Sequence, residues 1–450
     1  MRARDEGARD APGVRASAQS RRGGRGQGAA LEAVWVSAGS YALYGAMFGV
    51  SILINRVYGT AELGRFGIAW AVAQLTVQAG VAGFSAIHRR DVAYAARSVA
   101  ELVAETLGVR LLALATLLVV VAVALAAWGV EGPLAWAVGW VAVAKAVEAV
   151  GLALAETVQA EGHNRTFALL SAINAAALVL AGGVVAALVV PSRWLYPALV
   201  GPAVLYLGAA LAAYGRVHGL PAVRLSAPAV RAVVAESWPL MVNALVVVAA
   251  ARVAVVAVGV LAGETAAGVY TFASGVVGGA AVVATAAGTV LFPRLCTQYV
   301  EAPETLRATM WRLVWKLGAL GVLAWGALAA ARGPLLSVYG DLPPSAGPTL
   351  LVLGIGLVAV FGAVAPNYMF TAIRAQNEGM RLAVLNALVL IVLVLPFASR
   401  WGALGAAAGV AVSQAIAGGL GLVWLDVRFL GPWARLERRP GAAPPTPALS

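Results

Sequence analysis

Residues 57–69 read VYGTAELGRFGIA, and residues 261–273 read LAGETAAGVYTFA. Gly59 falls on Gly263, Gly64 on Gly268, Phe66 on Tyr270 and Ala69 on Ala273, all at one offset of about 204 residues. A short turn written twice at such a distance points to a duplicated architecture. What lies around it fixes the medium in which the chain folds. Of the 450 residues, 61% are hydrophobic and 12% charged, and the mean hydropathy is +0.85. That leaves too few polar side chains to cover a soluble globule of this size. Apolar runs of about 20 residues, long enough to cross a hydrocarbon core of about 30 Å as helices, recur along the chain.

About twelve such runs are expected, at 34–55, 64–86, 108–129, 133–156, 166–190 and 193–214, then 238–262, 268–292, 312–331, 347–371, 380–398 and 403–425. The expected fold is an all-α integral membrane protein, with two pseudo-symmetric six-helix bundles around a central cavity. Residues 1–33 read as a disordered basic tail, 34–214 as the first bundle, 215–237 as a linker, 238–426 as the second bundle and 427–450 as a second tail.

The echo extends beyond the turn. Arg90 falls on Arg294; SRW at 192–194 returns at 399–401; AEGHNR before Asn174 resembles AQNEGMR before Asn386. Because six is even, both halves start on the same side of the membrane, so the repeat is parallel with its axis along the membrane normal. Two such bundles rocking about a cavity have the geometry of a transporter. Each half is expected to use its glycine turn for close passage between its own first and second helices.

About 25 of the 32 Lys and Arg fall in the two tails and the loops on their side, while the opposite loops hold Arg56, Arg65, Arg193, Arg332 and Arg400. That asymmetry predicts both termini in the cytoplasm and accounts for the +12 charge through topology and anionic headgroups, without nucleic acid. Arg21-Arg22 invites a twin-arginine export reading, but the following apolar segment is too long and lacks a cleavage site. Cys296 is the single cysteine, so neither an internal disulfide nor a cysteine metal cage is available.

The turn spacing, the arginine after the second run, Pro293-Arg294 after the eighth and WGALGAAAG at 401–409 resemble the multidrug/oligosaccharidyl-lipid/polysaccharide (MOP) exporter superfamily, and within it the bacterial polysaccharide flippases. The resemblance implies a V-shaped bundle in the bacterial cytoplasmic membrane that moves an undecaprenyl-pyrophosphate-linked oligosaccharide outward, with spans 1, 2, 7 and 8 lining the cavity. It implies membrane lipids, glycosyltransferases and a polymerase of the same pathway as partners. An ion-coupled multidrug or cation exporter on the same fold is the alternative, and a non-transporting scaffold a third. Many relatives carry an acidic residue in the seventh span, where this chain has Arg252.

On the first span Ser37, Tyr41, Tyr44, Phe48, Ser51 and Asn55 step by four and three along one face. A polar stripe of that length favours a water-filled cavity over a neighbouring helix. Trp70, Gln74 and Gln78 make a shorter row on the second span. Arg252, in the middle of an apolar run, is costly unless it faces a cavity or a partner. It reads as a pyrophosphate contact, or else as a tether to a carbonyl or to Glu148. On the fourth span Lys145, Glu148 and Glu156 lie on one stripe, readable as a structural pair or an ion relay. Asn367 and Arg374 share a face near the inner end of the tenth.

Enzyme chemistry finds no foothold. Neither lysine, Lys145 nor Lys316, sits in a phosphate-binding glycine loop, the longest outer segment at about 332–346 offers only Asp341, and no cofactor or metal site presents itself. Movement would draw on an ion gradient, the membrane potential or removal of substrate on the far side.

Overall fold

The computed structural model describes residues 25–430 except 95–97, 128, 131, 189 and 374. The described residues are nearly all helical, as a chain crossing lipid requires when every backbone group must be satisfied within its own segment. The first half comprises α1 (Arg25–Tyr58), α2 (Thr60–Tyr94), α3 (Val99–Ala127), α4 (Pro133–Ala160), α5 (Asn164–Ala187), the short α6 (Leu195–Ala198) and α7 (Val200–His218). The second comprises α8 (Ala227–Ala262), α9 (Glu264–Glu301), α10 (Leu306–Ala330), the short α11 (Arg332–Tyr339), α12 (Ala346–Ala372) and α13 (Gln376–Leu425). Nine helical segments among the described residues are long and apolar enough to cross a membrane, which makes this a multi-pass membrane protein. The expected spans at 380–398 and 403–425 both lie in α13, which breaks at Gly402, where φ is +57°.

Boundaries differ from expectation where polar sequence continues a helix. α1 starts at Arg25, inside the expected tail. The linker shrinks to 219–226, because α7 runs to His218 and α8 starts at Ala227. The segment after residue 331, expected to be loop, folds as α11. Residues 426–430 add a last helical turn.

The repeated turn is repeated in three dimensions. Gly59 and Gly263 have φ of +85° and +87°, a left-handed conformation that glycine adopts without steric cost. Each N–H bonds the carbonyl four residues back, Gly59 to Asn55 and Gly263 to Gly259, and each carbonyl receives the N–H four residues on, from Leu63 and Ala267.

Gly64 and Gly268 correct the expected role of the turn. They do not bring together two helices of one half; they let the halves cross each other. A Cβ on Gly64 would overlap the Glu264 carbonyl, and one on Gly268 would overlap the Thr60 carbonyl. Thr60 and Glu264 are themselves equivalent positions of the repeat, so the contact is reciprocal, and Gly67 lies against its own counterpart, Thr271. The pseudo-two-fold axis therefore passes through this crossing. Around it, Leu63, Phe66 and Ile68 of α2 bury against Ala254 and Val258 of α8 and Val269 and Phe272 of α9. Small residues at the seam let backbones approach where lipid supplies no hydrophobic drive for helix association.

Candidate functional site

Side-chain hydrogen bonds join the halves at the end carrying Gly59 and Gly263, here the turn end. Arg65 of α2 forks onto Glu264 of α9, with Nε 3.1 Å from Oε1 and Nη2 2.6 Å from Oε2. The same guanidinium bonds Glu62, whose other oxygen accepts from the buried Tyr196 hydroxyl. Sequence reading treated Arg65 as an ordinary loop charge. Its signal lay inside the repeat: Arg65 and Glu264 sit at positions the two copies do not share, which is where a contact between copies can place opposite charges. At the opposite, linker end, a cleft of about 450 Å³ lies among Ile87, His88 and Asp91 of α2, Glu105 of α3, and Ser226 and Glu236 from the start of the second half. The halves thus meet closely at the turn end, and at the other end a cleft lies between α2, α3 and the start of α8.

The polar stripe of α1 divides along its length. Tyr41 and Tyr44 are 40% and 55% exposed. Ser51 and Asn55, expected to line the cavity, are buried against Tyr339 instead, with Ser51 Oγ 2.7 Å from its hydroxyl and Asn55 Nδ2 2.9 Å from its carbonyl oxygen. Ser37 lies on the described backbone of α1, with no side chain described. The Trp70 row turns toward the first half, since Lys145 Nζ of α4 sits 3.8 Å over the Trp70 ring. Gln74, one turn on, has a buried Oε1 without a partner, and Gln78 is half-buried. Asn367 is exposed near the end of α12, and Arg374 lies outside the described residues.

Arg252 sits within α8 on the seam. Its buried Nε has no hydrogen-bond partner, and its electrostatic neighbours are the Tyr44 and Tyr270 hydroxyls. The tether to Glu148 is not made: Glu148 is engaged by Lys145 at 2.6 Å and by Asn174 at 3.2 Å. A half-buried cation with spare donors, opposite a tyrosine of the other half, is equipped to receive an anion.

Glu156 departs from the expected single stripe. It pairs at 3.0 Å with Arg110 of α3, which is fully buried and also donates to Ser85 of α2. The sequence reading missed Arg110, an arginine three residues into the third apolar run. The first half therefore holds two separate pairs, Lys145 with Glu148 and Arg110 with Glu156. Substituting Lys145→Met is expected to strand Glu148 and cost roughly 1–3 kcal/mol of stability. Thermal unfolding in detergent should show recovery in the Lys145→Met, Glu148→Leu double variant if the two act as a pair, and additive losses if they do not.

Solved structures share this fold. An inward-facing multidrug-resistance transporter of the MATE family, in the MOP superfamily, is 13% identical, with 89% of this chain and 96% of that one covered and a TM-score of 0.70. The lipid II flippase MurJ, in an inward closed conformation, is 12% identical over 87% of each chain at a TM-score of 0.69. A MOP-superfamily transporter from Pyrococcus furiosus, described as having a binding pocket of reverse polarity, is 14% identical over 88% of this chain and 94% of its own at 0.61. No curated protein matches. A family model described as polysaccharide biosynthesis protein matches residues 31–297, more than half of the sequence, and its span contains both copies of the turn and the crossing they build. The chain belongs to that polysaccharide biosynthesis family, on the fold of the MOP superfamily.

Proposed function

We propose that the chain is a flippase that moves an undecaprenyl-pyrophosphate-linked oligosaccharide across the bacterial cytoplasmic membrane, by rocking its two halves about the seam. The observation that carries the reading is Arg252, a cation with an unpartnered buried donor beside Tyr44 of the other half. A guanidinium stays charged at any working pH and presents a planar fork that matches phosphate oxygens. Tyr41 and Tyr44, on the opposite half, offer aromatic faces and hydroxyls to sugar. The family's description and the MurJ fold support a lipid-linked glycan as cargo.

The arginine asymmetry supports an orientation with both termini and the linker-end cleft on the cytoplasmic side and the turn end outside. In that orientation the linker-end cleft is where a substrate made in the cytoplasm would enter. Lys145 already supplies a cation to Glu148, so a coupling ion, if one is used, has to compete with a tethered ammonium there.

Purified protein in liposomes tests the reading. Two substrates are offered in parallel, a fluorescent undecaprenyl-pyrophosphate oligosaccharide and a lipophilic organic cation. Flipping of the first without uptake of the second is the expected result. Uptake of the cation without flipping would assign the chain to the cation exporters of the same fold.

A further inference from the structure

The short helix α11 is held to the protein in an unusual way. The last carbonyls of a helix have no partner within it. Here the first half supplies them: Arg56 donates from Nη2 to the Ser337 carbonyl at 3.1 Å and from Nε to that of Val338 at 2.7 Å, and Asn55 donates to that of Tyr339. Thr60 donates to the Asp341 carbonyl just beyond, at 3.2 Å. A cation at a helix C-terminus is also favoured by the helix dipole.

Only one side chain of α11 is fully buried. Tyr339 enters the seam with no exposed surface, its ring edge-on to Phe48 of α1 at 5.5 Å and to Phe272 of α9 at 4.6 Å. Its hydroxyl meets Ser51, which in turn donates to the Phe48 carbonyl, so both buried hydroxyls are satisfied. Ser337 and Val338 beside it are exposed, as is Arg56.

Among the described residues this attachment has no counterpart in the repeat. The residues about 204 positions upstream of α11 fall at 128–135, around the start of α4, where no short helix stands among the described residues. The glycine crossing is two-fold; the α11 clamp is one-sided. The two Arg56 bonds are exposed, where each exchanges for a bond to water at small net cost, while those of Asn55 and Thr60 lie further in. One aromatic bolt with a ring of exchangeable caps is built to release, unlike a helix packed along its whole face.

We propose that α11 is a latch on the turn end: Tyr339 bolts the seam shut, Asn55, Arg56 and Thr60 hold the bolt, and the seam opens at that end only after Tyr339 withdraws. The inference uses the rocking of the halves put forward above but not the identity of the cargo.

The test measures access rather than transport. A single thiol, Tyr44→Cys in a Cys296→Ser background of the full chain, is labelled in membrane vesicles by an impermeant maleimide applied from the turn-end side. Tyr339→Ala is expected to raise the labelling rate roughly tenfold, and Tyr339→Phe and Arg56→Gln roughly two- to fivefold each, as bolt or caps are lost. Labelling from the linker end should stay unchanged, which confirms folding. Arg56 is exposed, so Arg56→Gln keeps the test decisive if Tyr339→Ala fails to fold. Turn-end rates unchanged in Arg56→Gln and Tyr339→Phe would overturn the latch. A failure of glycan flipping in the wild type would leave these rates untouched, so the two proposals fail separately.

Discussion

Replacing Gly64 with valine is expected to wedge the seam open at the turn end and to cut flipping by roughly tenfold or more. The atom a side chain would strike is the Glu264 carbonyl oxygen, which belongs to the backbone of α9 and cannot rotate aside. The Gly268 backbone nitrogen lies just behind it, 2.7 Å from the same point. Relief therefore requires α2 and α9 to separate, which lengthens the Arg65 fork onto Glu264. Overpacking of this kind costs about 1–3 kcal/mol, and the closed state alone bears it. Gly268→Val should act in the same way, because the contact is reciprocal. The double variant should add little to either single one, since an opened crossing has no second overlap to relieve. Gly49→Val, with nothing near its Cβ, should leave closure intact. Spin labels at the equivalent positions 61 and 265 would report the separation directly. An unchanged distance distribution in Gly64→Val would mean that the crossing accepts a side chain without separating.

The second large effect belongs to Arg252. Positive charge is expected to order affinity for a pyrophosphate-linked lipid as Arg, Lys, Gln, Glu at position 252. Charge-assisted hydrogen bonds contribute about 1.5–3 kcal/mol each, so Arg252→Gln should weaken binding by roughly tenfold or more. Lysine should recover part of the loss, supplying charge without the planar fork. A purely structural arginine predicts a different order, with glutamine close to wild type because it can still donate a hydrogen bond. Native mass spectrometry of lipid-bound protein would separate the two.

The helices, the break at Gly402 and the duplication were legible because they rest on signals the chain carries locally: apolar length, glycine and proline punctuation, and a repeated string. The crossing was half legible. The repeat named Gly64 and Gly268, yet a sequence gives no distance between copies, and the glycines were read as serving one half when they serve both. The site was harder to read for the same reason. Periodicity placed Ser51 and Asn55 on the face that carries Tyr41 and Tyr44, but a face does not say what covers it, and near the turn end Tyr339 covers it from almost 290 residues away in sequence. Glu148 and Glu156 were likewise put on one stripe by spacing alone. Arg110, from another helix, takes the second of them, and only the packing of α3 against α4 brings the two together.

The most direct test is the flipping rate of an undecaprenyl-pyrophosphate oligosaccharide in liposomes holding equal amounts of folded wild-type or Arg252→Glu protein. The prediction is rapid outward exposure of the glycan with wild type and a rate at the protein-free background with Arg252→Glu. Near-wild-type flipping by the folded Arg252→Glu protein would contradict it and remove the pyrophosphate contact from the mechanism.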